Sequence, residues 1–142
     1  MADRLTLDSS VIVAFLNKRD TLFNDTERFI QGVPIGKYDV VIPTIVVCEV
    51  ANVLSRNATP MAVSGVMSYL EAFHWVSLDR EETLSLTSHF SKYKLKTSDA
   101  IVAGTALRYR ATLISWDEKL LRESRKHFTS FTPTEFLKKI RS

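Results

Sequence analysis

The chain has 142 residues, 45% of them hydrophobic and 25% charged, with 19 Lys and Arg against 16 Asp and Glu. That size and balance fit one globular domain with its own core and exclude a disordered chain. A single cysteine, Cys48, excludes an internal disulfide framework, and no apolar stretch is long enough to span a bilayer.

The opening MADRLTLD lacks the apolar centre of a signal peptide, so a cytoplasmic protein is expected. The charge is uneven. Residues 1–71 hold 6 Lys/Arg and 8 Asp/Glu, whereas 72–142 hold 13 and 8, a split of −2 and +5. A basic half suits a polyanion such as nucleic acid, and it suits equally the solvated helix faces of any soluble protein.

In chain order, Arg4-Leu5-Thr6-Leu7 reads as a strand and SSVIVAFLNK as a helix capped by Ser9 or Ser10. DTLFNDTERFIQG sets Leu22, Phe23, Thr26, Phe29 and Ile30 at helical spacing and closes on Gly32. DVVI is a second strand, stopped by Pro43. In TIVVCEVANVLSRN the run Ile45-Val46-Val47 is strand-like, but the length and the Val46/Val50/Val53/Leu54 periodicity select a helix.

TPMAVSGVMSYLEAF has Thr59 as cap and Pro60 at the first helical position. HWVSLD is a third strand, and REETLSLTSHFSKY a helix with acids at its front. A helix from about Ser98 to Arg108 leads into the strand TLIS, and EKLLRESRKH is helical. FTSF supplies a fifth strand, and Thr132-Pro133 opens a last helix, TEFLKKIR. Strands alternating with such helices argue an α/β/α sandwich, with a central, mostly parallel sheet of about five strands covered on both faces.

In such a sheet ligands bind beyond the carboxyl ends of the strands. Asp8 follows strand one, and Asp117 lies just past strand four. Asp99 opens the helix leading into strand four, and Glu49 lies in the second turn of the helix leaving strand two. Carboxylates gathered at one rim repel, a pair at about 4 Å by roughly 4 kcal/mol at an effective dielectric near 20. The conflict is removed by protons or by a cation, and Mg²⁺ or Mn²⁺ takes oxygen ligands of this kind. Three histidines and one cysteine offer no zinc-like spacing. A hard divalent cation bridging to phosphate points to phosphodiester hydrolysis. Each acid also has a plainer reading: Asp8 and Asp117 as helix caps, and Asp99 as a complement to the helix dipole. Glu49, set among Val46, Val47, Cys48, Val50 and Val53, fits a plain reading least.

LTLDSSVIVAFL, VIPTIVVCEVANVL, LKTSDAIVAGTAL and ATLISWDEKL resemble, in order, the four signature blocks of the PIN-domain family, with an acid at the family's position in each. Nearly the whole chain is covered, and the compact length is similar to VapC-type toxins of toxin–antitoxin pairs. The resemblance implies one PIN-like domain over 1–142 and a Mg²⁺- or Mn²⁺-dependent endoribonuclease acting on single-stranded RNA regions. Asp8, Glu49, Asp99 and Asp117 would form its acidic metal cluster. Ser10 and Ser115 match supporting hydroxyls. The implied reaction is in-line attack of water on phosphorus, with one carboxylate accepting a proton and the 3′ oxygen leaving. Two positions depart from the pattern. Lys119 stands two residues after Asp117, where an acid is frequent and which Glu118 here precedes, and Arg110 stands where a small residue, often Gly, is usual.

RNA would approach over Lys92, Lys94 and Lys96 before Asp99, and over Arg108, Arg110, Lys119, Arg122, Arg125 and Lys126 around Asp117. Trp116, next to Asp117, is a candidate for base stacking, with a core or dimer role as its alternative. His89 and His127 read as surface or helix-end residues. Surplus apolar positions in VSGVMSYLEAF and DTLFNDTERFI suit a homodimer face and an antitoxin groove, or plain packing onto the sheet. Rival readings are a PIN nuclease in RNA processing without an antitoxin, a catalytically silent interaction module, and a phosphoacceptor receiver domain. The receiver needs paired acids after strand one, where Leu7-Asp8-Ser9 has one, and a phosphorylated Asp ending strand three, for which Asp79 is a poor candidate.

Overall fold

The computed structural model describes residues 3–57 and 59–142. Among these residues five strands form one sheet: β1 Asp3–Leu7, β2 Tyr38–Pro43, β3 His74–Val76, β4 Thr112–Ile114 and β5 Ser130–Phe131, in the order β3-β2-β1-β4-β5. Every pairing is parallel, with Leu5 opposite both Val40 and Thr112, and Leu7 opposite Ile114. Their side chains explain why: Leu5, Leu7, Val41, Ile42, Leu113 and Ile114 are all buried, the near-continuous apolar run of strands covered from two sides.

Among the described residues eight α-helices connect and flank the strands: α1 Ser9–Leu16, α2 Phe23–Gly32, α3 Thr44–Asn57, α4 Pro60–Glu71, α5 Arg80–Thr87, α6 Thr97–Arg108, α7 Glu118–Ser124 and α8 Pro133–Arg141. The expected caps at Thr59 and Thr132 are present, the latter as a full capping box with Glu135. α6 is the central helix. It buries Asp99, Ala100 and every residue from Val102 to Ala106.

Several expectations shift. α1 stops at Leu16 because Asn17 and Asp20 accept amide hydrogen bonds from Arg19 and Leu22, closing a turn. The expected helix over 80–93 divides into α5 and a short 3₁₀ turn, Phe90–Lys92. There the hydroxyls of Thr87 and Ser88 bond carbonyls three and four residues back, competing with the helical ladder. Gly32 ends α2 without a left-handed turn. Its lack of a side chain lets α8 approach, since an added Cβ would meet Leu137 at 2.7 Å. The left-handed position belongs to Arg110 (φ 53°), in the turn between α6 and β4.

Candidate metal-binding acid site

Strand order reverses at β1, so β1 and β4 stand side by side while their following helices diverge. The crevice beyond their carboxyl ends is where an open α/β sheet binds ligands. Asp8 lies there, 4% exposed, with its amide donating to the Ile114 carbonyl at 3.0 Å. It occupies the cap position of α1 but makes no side-chain cap bond, so neither Ser9, Ser10 nor Asp8 caps this helix.

The Asp8 carboxylate is used elsewhere. Ser115 Oγ donates to Asp8 Oδ2 at 2.9 Å and accepts the Asp117 amide at 2.9 Å. Ser10 Oγ lies 3.3 Å from Ser115 Oγ and accepts the Trp116 amide at 3.0 Å. One hydroxyl carries one proton, and Ser115 has given its own to Asp8. Ser10 must therefore donate to Ser115. A single polarised chain runs from the Trp116 amide through Ser10 and Ser115 to Asp8.

The other acids come from three helices. Asp99, 9% exposed, is in the first turn of α6, and Glu49 is half-buried in the second turn of α3. Burial, with repulsion from Asp8 and Asp99, raises the Glu49 pKa above its ordinary value against the opposing influence of Ser9 and Lys96. Burial likewise raises Asp99, with Asp8 and Asp117 adding to the rise and Lys96 and Lys119 opposing it. Asp117 caps α7, one oxygen accepting the Leu120 amide at 3.0 Å. Asp8 and Asp99 thus act on Glu49, and Asp8 and Asp117 on Asp99, so the repulsion links all four carboxyl groups beyond the carboxyl ends of β1 and β4.

The donor set is all oxygen, carboxylate with neighbouring hydroxyl, and it carries repulsion that burial intensifies. A hard divalent cation fits this chemistry. Among the described residues no three Asp, Glu, His or Cys side chains are arranged to hold an ion by themselves. Mg²⁺ commonly uses one or two carboxylates and keeps several waters, so the fit is to a hydrated ion rather than a closed cage.

The basic residues divide. Lys96 stands at the cap position of α6 and Lys119 in α7, and both act on Asp99. Lys94 and Arg122 lie near Glu123, whose strongest partner is Lys126 at 2.8 Å. Arg108 pairs with Glu82, and Arg125 with Glu135 and the Ser130 carbonyl. Lys92 is exposed in the 3₁₀ turn, its carbonyl contacting His127. Arg110 is a correction: it precedes β4, so it lines a cleft at the amino edge with Asp3, Tyr38, Thr112, Phe136 and Lys139, away from the acids. Trp116 is half-buried against the core, and its indole N–H donates to Thr26 Oγ1 at 2.8 Å. Two participants escaped the sequence reading. Sequence position marks Ser9 as a helix cap, whereas it acts on Glu49, and marks Thr26 only as one apolar-face position among several.

The family model of the PIN domain matches residues 5–126. No curated protein sequence matches. Among solved structures, FitAcB from Neisseria gonorrhoeae superposes with a TM-score of 0.69 at 16% identity, over 91% of this chain and 97% of that one. A toxin–antitoxin complex from Klebsiella pneumoniae gives 0.70 at 18%, over 91% and 97%. VapC20 from Mycobacterium tuberculosis, a sarcin–ricin loop cleaving toxin, gives 0.71 at 14%, over 91% and 99%. At these identities the likeness is one of fold.

Proposed function

The chain belongs to the PIN-domain family, and from that membership we propose that it is a Mg²⁺- or Mn²⁺-dependent endoribonuclease, the toxin of a toxin–antitoxin pair. PIN domains are in general nucleases that use divalent metal ions. The observation that carries the reading is the convergence of Asp8, Glu49, Asp99 and Asp117 at the switch point, where burial and neighbouring carboxylates raise the pKa of Glu49 and of Asp99. An apparatus for hydrolysing phosphodiesters has a use for such a pocket; a purely structural one has none. RNA as substrate is supported by the likeness to VapC20, a sarcin–ricin loop cleaving toxin, and a protein antitoxin as partner by the likeness to the Klebsiella toxin–antitoxin complex.

Asp8 and Asp99 would hold the ion, with Glu49 and Asp117 reaching it directly or through water. The bound ion would supply charge neutralisation at phosphate and a more acidic water. The chain's own residues do the rest. Ser115 fixes the Asp8 carboxylate, and Ser10 holds Ser115. Lys96 and Lys119 offer phosphate contacts beside Asp99, with Lys94 and Arg122 further along the same rim. One of the four carboxylates accepts the proton of the attacking water, and the 3′ oxygen leaves, giving 5′-phosphate and 3′-hydroxyl ends. We place the protein in the cytoplasm as a homodimer. Among the described residues no helix is long and apolar enough to cross a membrane.

The test is cleavage of an RNA panel by the purified protein with Mg²⁺ or Mn²⁺, with EDTA, and in Asp8→Asn and Asp99→Asn. Metal-dependent cutting lost in both variants supports the reading; wild-type activity in either refutes the assignment. No cutting with either metal favours the silent interaction module. Growth arrest on expression, relieved by a co-expressed neighbouring antitoxin gene, separates the toxin from an RNA-processing nuclease.

A further inference from the structure

We propose that Trp116 is a positioning residue, whose two N–H groups clamp α1 and α2 to the turn after β4 and so hold the hydroxyl chain that ends on Asp8. The backbone N–H donates to Ser10 Oγ in α1 at 3.0 Å, and the indole N–H to Thr26 Oγ1 in α2 at 2.8 Å. Thr26 is fully buried, and its one proton goes to the Leu22 carbonyl at 2.7 Å. Only its lone pairs remain for Trp116, so the indole N–H must be the donor. The Thr26 hydroxyl has no second proton to give and cannot turn away without orphaning a buried group, which makes it a rigid anchor. Between these two bonds Trp116 has little freedom to swing onto a nucleobase.

The consequence reaches the acids in two steps. Ser10, located by the Trp116 amide, donates to Ser115, and Ser115 donates to Asp8 while accepting the Asp117 amide. Loosening the indole at Thr26 lets the 115–117 turn move, and with it Asp117 and the partner of Asp8. This inference rests on the acid-site reading for its effect on metal, though the clamp itself can be measured without metal.

Three variants test it: Trp116→Phe removes the indole N–H and keeps an aromatic face, Thr26→Val removes the acceptor, and Thr26→Ser retains it. Hydrogen exchange of the Trp116 and Asp117 amides in metal-free protein is expected to accelerate in Trp116→Phe and Thr26→Val and to stay at wild-type rates in Thr26→Ser. Calorimetry with Mn²⁺ is expected to show about tenfold weaker binding in the first two, as for loss of an outer-shell partner. The double variant should be no worse than either single one, and kcat should fall with KM for RNA unchanged. Wild-type exchange rates in Trp116→Phe and Thr26→Val overturn the clamp. A raised KM with unaltered exchange and Mn²⁺ affinity makes Trp116 a stacking platform and overturns it too. If the wild type takes up no Mn²⁺, the acid-site reading fails, while the exchange rates still decide the clamp. Should Thr26→Val not fold, Trp116→Phe decides alone.

Discussion

Ser115 Oγ donates to Asp8 Oδ2 at 2.9 Å across 107 positions of sequence, in a buried contact. The bond joins the ends of β1 and β4 at the point where the strand order reverses, and it engages one of the two Asp8 carboxylate oxygens. Ser115→Ala removes a donor from a buried carboxylate and an acceptor from the Asp117 amide together. We expect a loss of about 1–3 kcal/mol, the usual range for orphaning buried polar groups, read as a lower denaturant midpoint. Cleavage should fall roughly 10–100-fold, the range for outer-shell partners of metal ligands. Ser115→Thr keeps the hydroxyl and should restore most of both.

Glu49 makes a prediction of opposite sign. Burial first, then repulsion from Asp8 and Asp99, raises its pKa in the folded state. An acid raised on folding binds its proton more tightly in the native state. Native stability therefore falls as pH rises from the ordinary carboxylate range through the raised value, and the deficit persists above it. Glu49→Gln should accordingly be more stable than wild type in EDTA at neutral pH while losing nuclease activity. The gain should shrink as pH drops toward the carboxylate range and shrink again in saturating Mg²⁺. A thermal melt series in pH and metal checks this; destabilisation at neutral pH without metal would contradict it.

Lys96 and Lys119 are tested by salt. Each is exposed and close enough to act on Asp99. If each meets one phosphate, replacement by Ala should weaken RNA binding across sequences and reduce the slope of log affinity against log salt by about one apiece. Arg125→Ala, which breaks a pair with Glu135 instead, should leave the slope unchanged. Binding is best measured with Asp8→Asn as the parent, so that the RNA stays intact.

Local signals carried much of this architecture. Thr44–Asn57 is helical over the bounds its periodicity gave, and Thr59-Pro60 and Thr132-Pro133 open helices as their capping chemistry requires. Asp8 and Asp117 were placed by a rule about parallel sheets, namely that residues just after a strand share one rim. The same rule read in reverse places Arg110, which comes before β4, at the opposite edge. Nearness in sequence to Asp117 obscured this, though only the short strand β4 separates the two ends. Which cations are free to meet RNA was not legible, because Glu82, Glu123 and Glu135, the acids that engage Arg108, Lys126 and Arg125, were known only as charges on helices. Trp116 was illegible for the same reason: its anchor, Thr26, is 90 positions away.

Arg110 supplies the last test. Its φ of 53° is a left-handed conformation that a Cβ disfavours by roughly 1–2 kcal/mol, whereas Gly adopts it freely. Against this stands the extra unfolded-chain freedom of Gly, about 0.4–1 kcal/mol. The two effects differ by something on the order of 0.5–1 kcal/mol in favour of Gly. The amide of this residue donates to the Leu107 carbonyl at 3.2 Å and is retained in the substitution. Arg110→Gly should therefore raise the melting temperature by a few degrees, whereas Arg110→Ala, which keeps the Cβ, should give no such gain. Nuclease activity should be unaltered by either, since the side chain lies at the amino edge of the sheet with Lys139 and Tyr38. A stabilised Arg110→Gly that also loses RNA affinity would instead mean that bound RNA wraps from the acid rim to the far edge of β4, and that this arginine is retained in a strained turn for that contact.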